Sequence, residues 1–459
     1  MSTLKHVISS TSILAVSNGI ARVASFVSVV IMTTNLTLYQ YGILTLALAL
    51  SGPILTLCNL GLDELITADV SRYLGEKKYD HAKKLMATYF SMQWLLLPVL
   101  GVAVYLLRPY LQERYGELLY THVYVMLYYV ALQLARTGIN TFLNIHSRFL
   151  AIAKAQVFEP IIRCLCLIGL WWTGHITVEY ALWTYIIGSM VSVVVALPDL
   201  FELLKKYKGY TAIKKNMLYG VVRAHGKWQG VLQIISSAIN SLRYHFINVI
   251  ISTEAVALFS VAQSMYSVLT SLLPVKTVIA PLIARKLADK EHMRSFIAKA
   301  SKYTFLTYLL AMSAALVSAP LILTFFFPKY VAAIVLFELM VLRLPLNMFS
   351  VIQAPLMTAF KEQKYMSGLG ILNLLLVVTV TPLFLYMFGV MGTIVESLAT
   401  VLVVIYLRER LLHKKYQIST FSPRAFFSFD STDLQVLQEV WIWVKRMMGK
   451  VGFTAKKAV

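Results

Sequence analysis

Apolar runs long enough to cross a membrane recur along the whole 459-residue chain. A helix needs about 17–25 mostly apolar residues to cross the hydrocarbon core of a bilayer. Twelve segments meet this requirement, namely residues 11–34, 42–66, 85–107, 118–140, 157–173, 178–201, 229–252, 256–280, 303–326, 330–356, 367–387 and 390–410. The pattern predicts an all-α membrane protein with 12 transmembrane helices.

Composition also favours a membrane protein. Hydrophobic residues make up 58% of the chain and charged residues only 14%, whereas about a quarter of an average soluble domain is charged. This balance excludes a cytosolic enzyme, a secreted disulfide module and a DNA-binding domain. The first run is predicted to be a retained helix rather than a cleaved signal peptide, because it is long and carries Arg22 in its middle.

The positions of the basic residues predict the orientation. The net charge is +21, with 42 Lys and Arg residues. If the N-terminus is cytoplasmic, 33 of these cations lie in cytoplasmic segments or at the cytoplasmic end of the last span, three lie in outer loops and six lie deeper inside spans. Because cytoplasmic loops carry the excess of Lys and Arg, both termini are predicted to be cytoplasmic. The outer loops are short, which disfavours a membrane glycosyltransferase, polymerase or ligase.

A weak internal repeat divides the predicted spans into two sets of six. Ser71–Lys78 matches Ala284–Glu291 at an offset of 213 residues. The other matched positions are Arg136 and Asn140 with Arg343 and Asn347, and Lys154 and Gln156 with Lys361 and Gln363, all at offset 207, and Arg22 with Arg243 near offset 221. The alternative is chance similarity between basic loops.

The repeat predicts two lobes related by a pseudo-twofold axis along the membrane normal, with a cleft between them. The predicted units are an N-terminal lobe (1–204), a basic cytoplasmic linker (205–227), a C-terminal lobe (228–411) and a basic cytoplasmic tail (412–459). Within the tail, residues 434–451 have the apolar spacing of an amphipathic helix, which is expected to lie on anionic lipid.

Cations inside predicted spans are the candidate functional residues, since a charge at mid-bilayer is unfavourable and faces protein or water. Four arginines are predicted to form a cationic cavity for an anionic, phosphorylated substrate, because guanidinium groups bind phosphate through paired donors. The predicted substrate-binding residues are Arg22, Arg136, Arg243, Arg343, Asn140 and Asn347. The structural alternative is that each arginine pairs with a carboxylate or helix carbonyls. For Arg163, an ion pair with Glu159 four residues earlier is the simpler interpretation.

Four further residues are candidates for gating or ion coupling. Offset 213 places Asp63 opposite Lys276, which predicts an ion pair that closes the cytoplasmic side, against the alternative of ordinary charges at helix ends. Glu338 and Glu396 are intramembrane carboxylates, and either could couple transport to protons or cations or could have a structural partner. No cofactor, metal, ATP or nucleic-acid site is predicted, because no motif has the required spacing.

Sequence motifs within roughly residues 20–90 resemble those of a known family. The features are the Arg22-bearing first helix, Tyr41-Gly42, the Asn59-Leu-Gly-Leu-Asp63 end of the second helix and the basic stretch Ser71–Lys84. They resemble the Wzx-type polysaccharide and O-antigen repeat-unit flippases of the multidrug/oligosaccharidyl-lipid/polysaccharide (MOP) exporter superfamily. The peptidoglycan-precursor flippases of that superfamily carry two further C-terminal spans where this sequence has a polar tail.

The resemblance implies a MATE-like, V-shaped bundle in the inner membrane. It implies that the substrate is an undecaprenyl-diphosphate-linked oligosaccharide of polysaccharide or lipopolysaccharide biosynthesis, moved to the periplasmic leaflet by alternating access and coupled to an ion gradient. Expected partners are this lipid-linked oligosaccharide, membrane lipids and other polysaccharide assembly proteins. The alternative is a small-molecule or drug antiporter of the same fold.

Overall fold

The computed structural model describes residues 2–115, 123–210, 227–273, 275, 279, 283 and 290–421. These residues form α-helices joined by short connections. The helices are α1 (Ser2–Asn35), α2 (Leu38–Asn59), α3 (Asp63–Gly75), α4 (Tyr79–Leu106), α5 (Arg108–Tyr115), α6 (Val123–Ile145), α7 (Phe149–Thr173), α8 (Val178–Lys205), α9 (Lys227–Ile250), α10 (Thr253–Ser271), α11 (Lys290–Phe326), α12 (Ala333–Val341), α13 (Asn347–Ala359), α14 (Gln363–Phe388) and α15 (Met391–Leu411). The predicted all-α class is therefore confirmed.

Seven of the described helices, α1, α2, α4, α8, α11, α14 and α15, are long and apolar enough to cross a membrane. The other predicted spans correspond to α6, α7, α9, α10 and the pair α12–α13. These helices are shorter or carry more amide and charged side chains. The less apolar helices contribute most of the predicted substrate-binding residues.

The second predicted span, 42–66, ends earlier than the hydropathy pattern indicates. Helix α2 stops at Asn59, because Leu60 (φ 48°) and Gly61 (φ 62°) adopt left-handed backbone conformations. Glycine at the second position avoids strain, and a Cβ there would lie 2.5 Å from Cβ of Gln233. A separate helix, α3, begins at Asp63.

The tenth predicted span, 330–356, is not one continuous helix. Helix α12 ends at Val341 and α13 begins at Asn347. Pro345 lies between them, and a proline lacks the N–H needed to continue a helix and disfavours helical backbone at the preceding residue. The prediction of an unbroken helix is wrong here, and the resulting turn, residues 342–346, carries Arg343.

Packing occurs within and between the halves of the chain. In the N-terminal half, α1 packs on α7, and α8 packs on α6 and α7; in the C-terminal half, α14 packs on α9 and α15, and α12 on α10 and α11. Helix α2 joins the halves through contacts with α9 and α10. Small residues permit this approach: a Cβ on Gly42 would lie 2.2 Å from the carbonyl oxygen of Thr253, and one on Gly230 would lie 2.6 Å from that of Leu60.

The backbone conformation around Lys154 and Lys361 tests the alignment of the repeat at offset 207. Lys154 is an exposed residue inside α7, whereas Lys361 lies in a turn with φ of 58°, so the two are not structurally equivalent. Ser147, before α7, has the same left-handed conformation as Lys361 (φ 55°). The separation of these two turns agrees within one residue with the offset of 213, which favours that alignment.

The described start of the predicted tail packs against the C-terminal helices. Leu412 and Thr420 are fully buried. Glu409 at the end of α15 accepts hydrogen bonds from the Ser419 hydroxyl (2.7 Å) and the Thr420 backbone N–H (2.8 Å). Lys276, linker residues 211–226 and the amphipathic segment 434–451 lie outside the described residues.

Candidate functional site

A cavity of about 410 Å³ lies in the C-terminal half, between α9, α10, α12 and α15. Two of the predicted arginines, Arg243 and Arg343, line it. The described residues that line it are Asn240, Arg243, Tyr244, Phe259, Gln263, Tyr266, Met340, Arg343, Thr393, Ile394 and Ser397. Apart from the two arginines, the polar side chains of this described lining are amides and hydroxyls, so its charge is positive.

Arg243 on α9 is paired with Glu396 on α15. The Arg243 Nη2 and Nε atoms lie 3.1 and 3.2 Å from Oε2 of Glu396. The carboxylate side chain is fully buried and also accepts a hydrogen bond from the Thr400 hydroxyl (2.8 Å). This buried negative charge is thus compensated by one arginine at the cavity surface.

Arg343 lies in the turn between α12 and α13, where the broken helix lets it reach the cavity. Its Nη1 donates to the Ser397 hydroxyl at 3.0 Å, and its Nε has no hydrogen-bond partner. Among the described residues no carboxylate lies within ion-pair distance of it. With Glu396 balancing Arg243, Arg343 supplies the net positive charge of this cavity.

Asn347 contacts the cavity indirectly, through a tyrosine that lines it. Its side-chain amide donates to the hydroxyl of Tyr266 at 2.8 Å, and Tyr266 lines the cavity beside Arg343. Glu338, the other predicted coupling residue of this half, is half-buried on α12 and is not among the lining residues.

Arg22 lines a neighbouring cavity of about 300 Å³ between α1 and α10. Gln263 lines both this cavity and the 410 Å³ cavity, so the two adjoin. The Arg22 side chain is exposed, and no described residue forms an ion pair with it. The structure therefore places Arg22, Arg243 and Arg343 around two adjoining cavities.

Arg136 lies in a different environment, among α6, α7 and α8. Its Nη1 forms an ion pair with the buried carboxylate of Glu159, and Gln133 hydrogen-bonds both Glu159 (3.3 Å) and Ser189 (3.0 Å). Glu159 is only 7% exposed. The geometry favours the structural alternative for Arg136, in which it neutralises a carboxylate between helices.

Arg163 does not pair with Glu159, so the expected ion pair within α7 is wrong. Its Nη2 donates to the Ser25 hydroxyl of α1 at 3.0 Å. Its guanidinium carbon also lies 4.4 Å from the centre of the Tyr185 ring, a cation–π contact. Glu159 is instead closer to Arg136, because α6 packs against α7 on that side.

A third cavity, of about 620 Å³, lies in the N-terminal half and contains two predicted residues, Asp63 and Asn140. Asp63 accepts hydrogen bonds from the hydroxyls of Tyr89 (2.5 Å) and Thr141 (3.4 Å). The lining residues are Asn18, Asp63, Thr67, Thr137, Asn140, Thr141, Asn144, Phe149, Ile152 and Gln156. Most were not predicted, although the polar residues of α6 recur at three- and four-residue spacing, the signal of one helix face.

The fold is similar to that of known transporters. The inward-facing structure of a multidrug resistance MATE family transporter of the MOP superfamily matches with a TM-score of 0.74 and 13% identity, over 86% of this chain and 96% of that one. A MATE transporter from Vibrio cholerae matches at 0.65 and 15%, over 92% and 98%. A MOP superfamily transporter from Pyrococcus furiosus, described by a binding pocket of reverse polarity, matches at 0.63 and 15%, over 90% and 97%. The fold is that of the MATE-type membrane transporters.

The sequence itself identifies the family. The model of the polysaccharide biosynthesis protein family matches residues 7–287, and the chain belongs to that family. Comparison with curated proteins gives no match. The predicted resemblance is thus confirmed at the level of the family, and the protein is a multi-pass membrane protein with the fold of the MATE-type transporters.

Proposed function

We propose that this protein is a flippase that moves undecaprenyl-diphosphate-linked oligosaccharide repeat units from the cytoplasmic to the periplasmic leaflet of the inner membrane. The observation that carries the proposal is the cavity lined by Arg243 and Arg343, around which two cations face one carboxylate. A cavity with surplus positive charge suits an anionic headgroup. An antiporter of organic cations needs the opposite balance.

The diphosphate is the part of this substrate that the arginines would bind. A guanidinium donates two parallel hydrogen bonds to a phosphate, and such bonds are stronger in a site from which water is partly excluded. Arg343 is suited to this role because, among the described residues, the hydrogen-bond partner of its guanidinium is a single serine hydroxyl. Bond making and breaking are not required, since the headgroup is only carried across.

The lipid tail would stay in the membrane beside α1. Arg22 lines the cavity between α1 and α10, and its neighbours on α1, Ile20 and Val23, are exposed apolar side chains (46% and 65%). A polyprenyl chain can lie against this apolar surface while its diphosphate contacts Arg22. In this arrangement Arg22 receives the headgroup, and Arg243 and Arg343 hold it during the crossing.

We also propose that Glu396 regulates binding of the diphosphate at Arg243. Its carboxylate and a bound phosphate compete for the same guanidinium of Arg243. Protonation of Glu396 therefore strengthens anion binding, and its ionisation weakens it. A proton that moves with the anion cannot itself drive export. The outward force on the diphosphate would then be the membrane potential, worth about 2.3 kcal/mol per charge per 100 mV.

The test is transport in proteoliposomes. The probe is a fluorescent short-chain polyprenyl-diphosphate-linked disaccharide, and its leaflet is scored by a membrane-impermeant quencher. Liposomes with wild-type protein should move the probe between leaflets, while Arg343→Ala protein of equal abundance should not. A fluorescent phosphatidylcholine serves as the control for non-specific scrambling.

Two outcomes would overturn the proposal. One is transport of a fluorescent organic cation with no movement of the diphosphate lipid, which indicates the small-molecule antiporter. The other is transport of phosphatidylcholine and the diphosphate lipid at equal rates, which indicates a scramblase with no headgroup recognition.

A further inference from the structure

The 620 Å³ cavity of the N-terminal half differs in chemistry from the arginine-lined region. Among the described residues that line it, none is a lysine or arginine and one, Asp63, is a carboxylate. The remaining polar groups are amides and hydroxyls contributed by α1, α3, α6 and α7. A diphosphate has no cationic partner in such a cavity. A neutral ligand rich in hydroxyl groups does have partners, because amides and carboxylates accept hydrogen bonds from hydroxyls.

Two acceptors in this cavity have no hydrogen-bond partner. They are the side-chain carbonyl oxygens of Asn140 on α6 and Gln156 on α7, and both atoms are buried. Buried polar atoms are normally hydrogen-bonded, so each unpaired one requires a reason. Both oxygens belong to residues that line the cavity, and rotation of either side-chain amide would turn its oxygen toward a bound ligand with O–H donors.

Apolar contact area is also present. Phe149 and Ile152, at the start of α7, line the same cavity as the amides. A sugar ring presents hydroxyl groups at its edge and C–H groups on its faces. Ligand sites commonly combine apolar lining with a few placed polar groups, and this mixture matches a sugar better than a fully polar ion.

The position of the cavity relative to Arg22 connects it with the headgroup path. Asn18 lines the 620 Å³ cavity, and Arg22, one helical turn later on α1, lines the cavity between α1 and α10. Residues four apart on a helix lie on the same face, about 5–6 Å apart. A diphosphate at Arg22 would therefore place the first sugars within reach of the N-terminal cavity.

We infer that the cavity bounded by Asp63, Asn140 and Gln156 is a second subsite, which binds neutral sugar residues of the substrate while the arginine-lined region binds its diphosphate. This inference rests on the proposed function. It divides recognition between the halves: charge is recognised in the C-terminal half and at Arg22, and sugar hydroxyls are recognised in the N-terminal half.

The experiment compares two probes on the full-length protein in proteoliposomes. One is a fluorescent polyprenyl diphosphate carrying a neutral disaccharide, and the other is the same lipid without sugar. The variant is Asn140→Leu/Gln156→Met, which keeps side-chain volume and removes both acceptors. It should slow the sugar-bearing probe by about tenfold or more and change the sugarless probe by about twofold or less. Arg343→Ala should slow both probes.

Equal slowing of both probes by the double variant would overturn the subsite, because the acceptors would then be structural. If the double variant fails to fold, Gln156→Met alone is scored by the same ratio between probes. A requirement for sodium that the variant abolishes for both probes would instead assign the cavity to a cation held by Asp63.

Failure of the proposed function is distinguishable from failure of this inference. If wild-type protein moves neither probe, the flippase assignment fails. Binding of the diphosphate-free disaccharide glycoside is then measured by titration against wild type and the double variant. Binding weakened about tenfold in the variant supports the sugar subsite, and equal or absent binding rejects it.

Discussion

The two halves each contain a buried glutamate with two arginines nearby, yet the two clusters differ in what the second arginine contacts. In the N-terminal half, Glu159 pairs with Arg136, and Arg163 is held by Ser25 and the Tyr185 ring. All of these contacts are between packed helices. Both arginines of this cluster contact other helices through their Nη atoms or the guanidinium face, although Nε of each, like that of Arg343, has no hydrogen-bond partner.

In the C-terminal half, Glu396 pairs with Arg243, and the second arginine, Arg343, faces a cavity with only Ser397 as partner. The backbone also differs between the two clusters. The turn between α12 and α13 places Arg343 at the cavity, whereas Arg136 and Arg163 lie on unbroken helices. Similar residues thus stabilise the protein in one half and are available to a ligand in the other.

The largest effect expected on stability is at Glu159. Glu159→Gln leaves Arg136 without its carboxylate in a buried site, which should lower the free energy of unfolding by about 3–5 kcal/mol. Denaturant unfolding in detergent measures the change. Arg136→Met/Glu159→Leu should recover most of the loss, because replacing a buried ion pair by apolar side chains is often neutral.

The same double variant tests the comparison between the clusters. If Arg136 is structural, folded Arg136→Met/Glu159→Leu protein should transport the diphosphate lipid at close to the wild-type rate. Normal stability combined with complete loss of transport would show that Arg136 contacts the substrate, as the sequence predicts, and the contrast between the halves would fail.

The next largest effect is the loss of transport expected when Arg343 is replaced. Arg343→Ala should reduce transport about 10–100-fold, since a hydrogen bond to a charged group is worth about 1.5–3 kcal/mol and 1.4 kcal/mol is a factor of ten. Arg343→Lys should recover only part, because the charge remains while the paired donors are lost. The rate is measured per folded protein in proteoliposomes.

Arg163→Ala is the matched control from the N-terminal cluster. It removes an arginine of the same type that contacts a serine hydroxyl and an aromatic ring. Its expected effect is lower thermal stability with an unchanged rate per folded molecule. An equal loss of transport in Arg163→Ala and Arg343→Ala would contradict the assignment of substrate binding to the C-terminal cavity.

The sequence predicts the helical class and most helix positions, because the length of an apolar run is a direct requirement of the membrane. It does not predict the two helix interruptions. The signals are present as Pro345 and as Gly61, but both lie inside apolar runs that hydropathy alone treats as continuous. The interruption at Pro345 lies beside Arg343, which lines the cavity.

Partners of the buried arginines are harder to predict. Spacing of four residues favours a pair between Glu159 and Arg163, but the carboxylate lies nearer to Arg136 on the neighbouring helix. Choosing between partners on one helix and partners across helices requires the packing of α6 on α7 and α8. The pairing of Arg243 with Glu396, 153 positions apart, depends on tertiary structure in the same way.

A smaller effect is expected at Tyr266. Tyr266→Phe removes the hydroxyl that lines the cavity and accepts the hydrogen bond from Asn347. We expect this hydroxyl to donate a hydrogen bond to the bound diphosphate; loss of such a bond costs about 1 kcal/mol, so affinity for the diphosphate lipid should fall about fivefold. Tyr129→Phe, which removes a hydroxyl bonded to Gln133 at 3.1 Å in the N-terminal cluster, should leave affinity unchanged. If Tyr129→Phe weakened affinity more than Tyr266→Phe, substrate binding would be assigned to the N-terminal cluster instead.

The smallest effects are expected outside the spans, where the halves differ in their response to acid. In the N-terminal half, His146 after α6 contacts the Tyr207 hydroxyl at 2.8 Å, and burial lowers the pKa of this imidazole below its ordinary value of 6.5. In the C-terminal half, Glu362 before α14 accepts hydrogen bonds from Lys415 and from the Tyr416 hydroxyl (2.5 Å), and these bonds lower the pKa of the carboxyl below its ordinary value of 4.5.

The sign is the same for both groups, but the pH windows differ. A folded-state pKa below the unfolded value means that the unfolded chain binds more protons, so stability is lost as pH falls through that interval. Hydrogen exchange near residues 207–210 should therefore quicken as pH falls below 6.5, and exchange near residues 412–416 should quicken only below 4.5, after correction for intrinsic rates. His146→Gln should remove the first response and Glu362→Gln the second. Loosening of both segments in one shared window would show that a common event, and not these two side chains, governs the response.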